Sequence, residues 1–373
     1  MSTTEARPLA ETPPATPPRR RRRWWLRITL TIVVVLVLIV ASGAIWFQVS
    51  VTPRVMLLRA IPGSDALDGG RGLAEYVPAG IDTTLDEAYG EGSDDRLDVY
   101  TPSGTTEALP TIVWVHGGGF IGGNKEGTRD YLQILASYGY TVVNVEYTKG
   151  PEAHWPTPIA QLQQAIAYVT ERADTFHIDP AQIVLGGDSA GAHIVAQAAV
   201  AVTNPDYATQ SGVPVVLTPE QLKGVILFSG PYDLAGIDVN DAQWGFFLKT
   251  VIWAYTGHKD AQSSPDAAFY SVTPWVTSAY PPAYISTGPA DPLLPQSEKL
   301  VQTLDAQGVD VSTRFFPAET TSDDIGHEYQ MNLDTDEARA GLVGMVTFLR
   351  THVSTPTELP GVTFDTPIAT PQP

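Results

Sequence analysis

Two short stretches of the chain hold residue types whose spacing points to chemistry. Gly187-Asp188-Ser189-Ala190-Gly191 sets a serine between glycines, directly after the apolar run Ile183-Val184-Leu185-Gly186 and before the small, helical AHIVAQAAVAV. A serine at a sharp strand-to-helix turn sits in strained backbone, so the positions two before and two after it must be small. Its hydroxyl then projects at the carboxyl end of a strand, where the helix N-terminus favours negative charge. That is the setting of a nucleophile. About 70 residues earlier, His116-Gly117-Gly118-Gly119-Phe120 ends another apolar strand. Three glycines in a row cost backbone entropy, so bare backbone is needed there to meet a phosphate, a dinucleotide or charge that develops during a reaction.

The first two options fit poorly. Gly117-x-Gly119-x-x-Gly122 matches a dinucleotide fingerprint after a strand, with Glu146 near the end of the next strand. That fingerprint requires a helix to begin at its last glycine. Instead Gly123-Asn124-Lys125-Glu126-Gly127 intervenes, a polar stretch poor in helix formers at its ends, and a further strand, RLDVYT, precedes the motif. A phosphate-binding P-loop would need Lys where Asn124 stands.

HGGGF together with GDSAG resembles the α/β-hydrolase fold, in particular serine esterases of the hormone-sensitive-lipase and feruloyl-esterase-like (carboxylesterase) branches, over roughly residues 95–352. The resemblance implies an oxyanion hole built from the backbone N–H groups of Gly118, Gly119 and Ala190. Glycine suits it because a side chain would block the approach of the carbonyl oxygen. The fold also implies the chain order Ser, acid, His. Of the histidines after Ser189, His193 lies one turn into the following helix and reads as structural. His258 breaks the order, and His352 ends the last helix and reads as solvated. His327, in Asp324-Ile325-Gly326-His327-Glu328, follows the strand VSTRFF and precedes the last helix, where the base belongs. The acid is expected just beyond AYISTG, at Asp291 of Gly288-Pro289-Ala290-Asp291-Pro292; Asp323 and Asp324 read as solvated loop charges. Asp291 would hold the His327 tautomer, and His327 would take the Ser189 proton and return it to the leaving group. His116 is expected to orient the glycine loop, and Asp188 to hydrogen-bond at the turn. The aromatics of WGFFLKTVIWAYTG (244–257) fit an acyl pocket, a cap or plain core equally well, with Phe120 and Trp155 as weaker pocket candidates.

The elements that must hold these groups alternate along the chain. RLDVYT (96–101), TIVWVH (111–116), TVVNVEY (141–147), QIVLGG (182–187), GVILFSG (224–230), AYISTG (283–288) and VSTRFF (311–316) read as strands. Helical patterns at Pro158–Phe176, Gly191–Thr203 and about Thr335–His352 separate or close them. Alternation with nearly continuous apolar strands predicts an α/β fold, a doubly wound, mainly parallel sheet covered on both faces. Residues 50–93 read as a polar approach to the domain edge.

Outside that domain, composition changes sharply. Residues 1–23 form a Pro/Thr-rich, then arginine-rich segment expected to be disordered and cytoplasmic. Residues 24–49 predict a transmembrane signal-anchor helix, with 20 uncharged residues from Ile28 to Phe47 and Trp24, Trp25 and Trp46 at the ends. The arginines on the N-terminal side assign the catalytic domain, 50–353, to the outside of the cell membrane; secretion after signal cleavage is the alternative. Residues 354–373 are a Pro/Thr-rich tail expected to be disordered. The first 49 residues hold 7 of 22 Lys/Arg and 2 of 41 Asp/Glu, which leaves 15 basic against 39 acidic residues in the rest, net −24. Such a body disfavours nucleic acid. With no cysteine, thiol nucleophiles, Cys-ligated metals and disulfides are excluded. The reading as a whole is a membrane-anchored serine hydrolase acting on a small-molecule, lipid or polysaccharide ester, with no cofactor and no metal. An acyltransferase or peptidase with the same triad, and a binding ectodomain that merely keeps the fold, are the alternatives.

Overall fold

Runs of β-branched and aromatic residues form the strands of one sheet, and small or amphipathic runs form the helices that cover it. The computed structural model describes residues 19–61, 73–240, 242–317 and 325–354; residues 1–18 and 355–373 of the termini expected to be disordered, and the acidic stretch 319–324, lie outside these, whereas Arg19–Arg23, expected to be disordered, open a helix. The chain divides into two units, Met1–Pro53 and Arg54–Pro373.

In the first unit, α1 runs from Arg19 to Val49. Its stretch Arg23–Val49, 27 residues containing an 18-residue window of mean hydropathy 2.9, is the one helix among the described residues long and apolar enough to cross a membrane. At 1.5 Å per residue it measures about 40 Å. Its Leu, Ile and Val side chains, Ile28 excepted, are exposed.

In the second unit the order is α2 (Thr52–Arg59, begun in the first), β1 (Ile81–Ala88), β2 (Arg96–Pro102), β3 (Leu109–Val115), α3 (Lys125–Ala136), β4 (Thr141–Val145), α4 (Thr157–Glu171), α5 (Ala173–Phe176), β5 (Ile178–Asp188), α6 (Ser189–Thr203), α7 (Pro205–Ser211), β6 (Leu222–Phe228), α8 (Gly245–Thr256), β7 (Ala283–Thr287), α9 (Leu294–Ala306), β8 (Val311–Phe315) and α10 (Asp336–His352). The eight strands lie in the order β1-β2-β4-β3-β5-β6-β7-β8. β1 and β2 pair antiparallel, as do β2 and β4; all other neighbours are parallel. This is the expected doubly wound sheet, with every position of β3 and β4 buried.

The register brings the functional loops together. Val115 of β3 pairs with Gly187 of β5, which in turn pairs with Leu227 of β6. The carboxyl ends of neighbouring parallel strands therefore meet at one edge, the crevice where open α/β sheets bind ligands. α6 packs on them and is buried along all 15 of its residues.

Two stretches differ from the sequence reading. The approach at 50–93 contains α2 and the edge strand β1, whose IDTTLDEA is mostly exposed and so lacks an apolar alternation. A bulge there puts Asp86 in the left-handed region (φ 59°), and its N–H turns inward to Asp98 Oδ1 at 2.9 Å. The stretch 123–127 is not helix-free: α3 begins at Lys125, with Asn124 as its N-cap accepting from Gly127 N–H at 2.9 Å. A capping side chain offsets the weak helix propensity of the glycine.

Lys125 is buried and joins β1, β2 and α3 by ion pairs with Asp86 (2.7 Å), Asp98 (2.8 Å) and Glu126 (2.8 Å); Arg129 adds a contact to Asp98 at 3.1 Å. Asp98 is wholly buried, so its carboxylate depends on these cations. Lys125→Met is expected to lower unfolding free energy by about 3 kcal/mol, because it leaves a buried carboxylate under-compensated. Urea unfolding measures this, and a change below about 1 kcal/mol would show that Arg129 compensates alone.

Candidate active site

The turn that carries Ser189 is built by close backbone contact. Ser189 opens α6 in the left-handed region (φ 48°), directly after the extended Asp188. A Cβ on Gly187 would lie 2.6 Å from the Gly191 carbonyl carbon, and one on Gly191 would run into the carbonyl oxygens of Val115 and His116. Small residues on both sides are thus dictated by packing of the turn on itself and on the end of β3. Gly186 leaves space in the same way for the Trp114 indole.

Ser189, His327 and Asp291 meet at this edge although they are far apart in the chain. His327 Nε2 lies 2.9 Å from Ser189 Oγ, and His327 Nδ1 lies 3.0 Å from Asp291 Oδ2. Asp291 also accepts from Leu293 N–H at 2.8 Å, and its side chain is fully buried. The loops carrying the acid and the base are pinned to each other: Ala290 N–H donates to the Ile325 carbonyl at 3.3 Å, and Gly288 has no room for a side chain against that same carbonyl. Asp323 and Asp324, weighed as alternative acids, lie outside the described residues.

In the glycine loop Gly118 (φ 111°), Gly119 (φ 59°) and Phe120 (φ 63°) are all at positive φ. The Gly118 carbonyl accepts from Ile121 and Gly122 N–H, at 3.1 and 2.8 Å. The N–H groups of Gly118 and Gly119 donate to nothing among the described residues. The Ala190 N–H lies in the first turn of α6, where amides lack intrahelical acceptors and Asp188 supplies no cap. Beside Gly119, Phe247 and Val251 of α8 stand 3.0 and 3.3 Å from where its Cβ would be.

Charged groups hold the loop from below. Asp188 accepts from Gly117 N–H at 2.7 Å and from Trp114 Nε1 at 2.8 Å. Burial first, and then the charge of Glu328, push its carboxyl up to about 7. His116 bonds the Gly117 carbonyl through Nδ1 at 2.7 Å and Glu146 through Nε2 at 3.0 Å, and it stacks on Tyr147 at 4.6 Å. Glu146, the acid of the apparent dinucleotide fingerprint, also accepts from Lys125 N–H at 3.1 Å and Lys149 Nζ at 2.6 Å. Burial would raise its pKa, but His116 and Lys149 hold it down at about 2. The N-terminus of α3, where a dinucleotide pyrophosphate would bind, is therefore filled by a carboxylate of the chain itself.

The remaining residues singled out in the sequence fall away from the reacting edge or into the core. His193 is buried edge-on to Phe120 (5.7 Å) and Tyr255 (5.6 Å), and burial lowers its pKa to about 4. Phe120 stacks on Tyr255 at 4.0 Å and Trp155 stacks parallel to Phe269, so both pack with other rings. His258 is exposed. His352 is not solvated: it packs on Phe348 at 4.5 Å and faces Asp310 at 3.6 Å. Glu328 was not assigned from sequence. It is buried at φ 55°, with Oε1 3.8 Å from His327 Nε2. Its only sequence signal is an acid directly after the histidine. Among the described residues no cluster of three or more His, Asp or Glu could hold a metal ion.

Burial alone would lower the pKa of His327, but the charges of Asp291, Glu328 and Asp188 outweigh it and push it up to about 9. A folded state that favours the imidazolium is stabilised fully below pH ~6.5, the ordinary histidine value, and loses that contribution as pH rises. The loss ends near 9. One-third exposure of the side chain screens part of it. Wild type is therefore expected to lose thermal stability from pH ~6.5 upward more steeply than His327→Gln. Parallel slopes for the two chains in melting scans would contradict the assignment.

Comparison with known proteins supplies the context. The BD-FAE family model matches residues 97–304. Acetyl esterases of Salmonella paratyphi B and Salmonella agona are each 29% identical over 226 residues, 59% of this chain. The match spans 66% of the length of these relatives, just under two thirds. Esterase B of Lactobacillus rhamnosis superimposes with a TM-score of 0.65 at 19% identity, covering 84% of this chain and 94% of its own. A bacterial heroin esterase does so with a TM-score of 0.59 at 24% identity, covering 74% and 86%.

Proposed function

This chain belongs to the BD-FAE family, and from that premise we propose that it is a serine hydrolase cleaving carboxylic esters through an acyl-enzyme. The observation that carries the reading is the unbroken chain of contacts from Ser189 Oγ through His327 to buried Asp291, at 2.9 and 3.0 Å. In its neutral form, His327 Nε2 takes the Ser189 proton as Oγ attacks the ester carbonyl. Asp291 holds the tautomer that keeps Nε2 free for this and stabilises the imidazolium that results. The oxyanion is met by the N–H groups of Gly118, Gly119 and Ala190; those of Gly118 and Gly119 have no other acceptor among the described residues. Collapse releases the alcohol, protonated by His327, and a water activated by the same base then hydrolyses the acyl-enzyme.

Phe247 and Val251 crowd Gly119 from α8, which supports a small acyl group; the acetyl esterases among the relatives agree with that. The substrate class proposed is a short-chain, acetyl-type ester. For the chain as a whole we propose residues 1–23 as a basic cytoplasmic segment, 24–49 as a membrane anchor, 50–353 as a catalytic domain outside the cytoplasmic membrane, and 354–373 as a Pro/Thr-rich tail. The helix Arg23–Val49 and the arginines before it support the anchor.

Ser189→Ala is expected to lower hydrolysis of p-nitrophenyl acetate by about 10⁶-fold. Unchanged turnover by that variant would remove the serine mechanism. Across p-nitrophenyl esters, kcat/KM is expected to fall from acetate to octanoate. Phe247→Ala is expected to relieve that fall by ten-fold or so, the scale of a few methylenes in an apolar pocket. A profile that rises with chain length in wild type would reject the small acyl site.

A further inference from the structure

Glu328 carries an unusual combination of features. It follows the base in sequence, it is buried, and it holds the left-handed conformation (φ 55°, ψ 33°) that a glutamate rarely adopts. The surrounding structure fixes it there. Its N–H donates to Ser229 Oγ at 3.3 Å, and Ser229 is itself left-handed (φ 53°) at the end of β6. The next residues are tied to β7: Tyr329 Oη bonds Ser286 Oγ at 2.8 Å, and Gln330 Nε2 donates to the Ser286 carbonyl at 2.7 Å. A glycine would occupy this backbone without strain. The strain instead keeps a carboxylate beside the reacting nitrogen.

That carboxylate faces the side of His327 opposite Asp291. Asp291 meets Nδ1 at 3.0 Å, and Glu328 Oε1 stands 3.8 Å from Nε2, the atom that exchanges a proton with Ser189. Resting on the triad reading above, we propose that Glu328 is a second positioning carboxylate, which stabilises the imidazolium form of His327 from the Nε2 side. It leaves Nε2 aimed at Ser189 Oγ, since 3.8 Å is too long for a direct hydrogen bond to compete with one at 2.9 Å.

The other groups around this carboxylate are consistent with a single lasting negative charge. Asp188, at the end of β5, approaches from the glycine-loop side: Asp188 Oδ2 and Glu328 Oε1 lie 2.5 and 2.7 Å from the position of a Cβ on Gly117. Its carboxyl, pushed up to about 7 by burial and by Glu328, keeps a proton in acid solution. Tyr147 from the end of β4 stays neutral, its pKa raised well above the ordinary value by burial and by Glu146, Asp188 and Glu328. His116 contacts Glu146, and Lys149 does the same. Among the described residues, His327 is the cationic group within ion-pair distance of Glu328.

The consequence is specific. Removing the charge raises the energy of protonated His327 and of the imidazolium transition state together. Ester turnover below the histidine pKa should then hardly change, while the pKa and the high-pH plateau fall by the same factor. Full-length chain in detergent micelles is assayed with p-nitrophenyl acetate from pH 5 to 10, as wild type, Glu328→Gln and Glu328→Gly. Glycine fits the left-handed backbone, so it covers the case in which glutamine fails to fold. Both variants are expected to move the acid limb of kcat/KM down by about one pH unit and to lower the plateau about ten-fold. Titration of the His327 ring by NMR in the Ser189→Ala chain, with and without Glu328→Gln, reads the same shift without turnover. A plateau that falls with the limb unmoved, or a ring titration the same in both chains, overturns the proposal. Wild-type turnover that survives Ser189→Ala would defeat the triad reading instead, and the ring titration would still decide the role of Glu328.

Discussion

The structure depends on one close backbone approach, between the first turn of α6 and the end of β3. Gly191 lies so near the Val115 and His116 carbonyls that no Cβ fits, and Gly187 closes on the same turn from the other side. This contact sets how far Ser189 stands from the glycine loop. The burial of all 15 residues of α6 serves that contact: a helix packed on every side cannot slide to relieve a strained first residue.

Beneath the contact, charge is arranged in two layers that do different work. Glu146 is ionised and fully engaged, receiving bonds from His116, Lys125 and Lys149, and it anchors the start of α3 to the end of β4. Asp188 is nearer the reacting groups and its carboxyl is held up at about 7. It joins the indole of Trp114 to the Gly117 amide, so core packing is transmitted to the loop through one side chain.

Much of this was legible in the sequence, for physical reasons that also explain what was not. The strand-to-helix turn around Ser189 is local: its constraints act over five residues, so glycine spacing reveals it. Asp291 and His327 followed from the chain order that the resemblance implies, together with the strand each follows, since a parallel sheet turns order along the chain into position along one edge. β1 escaped because an edge strand exposes most of its residues and shows no apolar alternation. The start of α3 escaped because one capping side chain, Asn124, outweighs a poor local propensity. His352 looked solvated at a helix end, and only tertiary packing brings Phe348 and Asp310 to it. Glu328 could not be ranked from sequence, because its position depends on a backbone conformation that residue type argues against.

The bulge in β1 has a bearing on how copies of the chain meet. An outer strand normally offers a row of unpaired amides that another strand can continue, which is how sheets fuse between molecules. Here the Asp86 amide is turned back to Asp98 and its carboxylate to Lys125, while Asp82 and Glu87 add like charge along the rim. The same turn of backbone that ties β1 to the buried ion pairs thus takes away the regular template that strand-by-strand polymerisation would require.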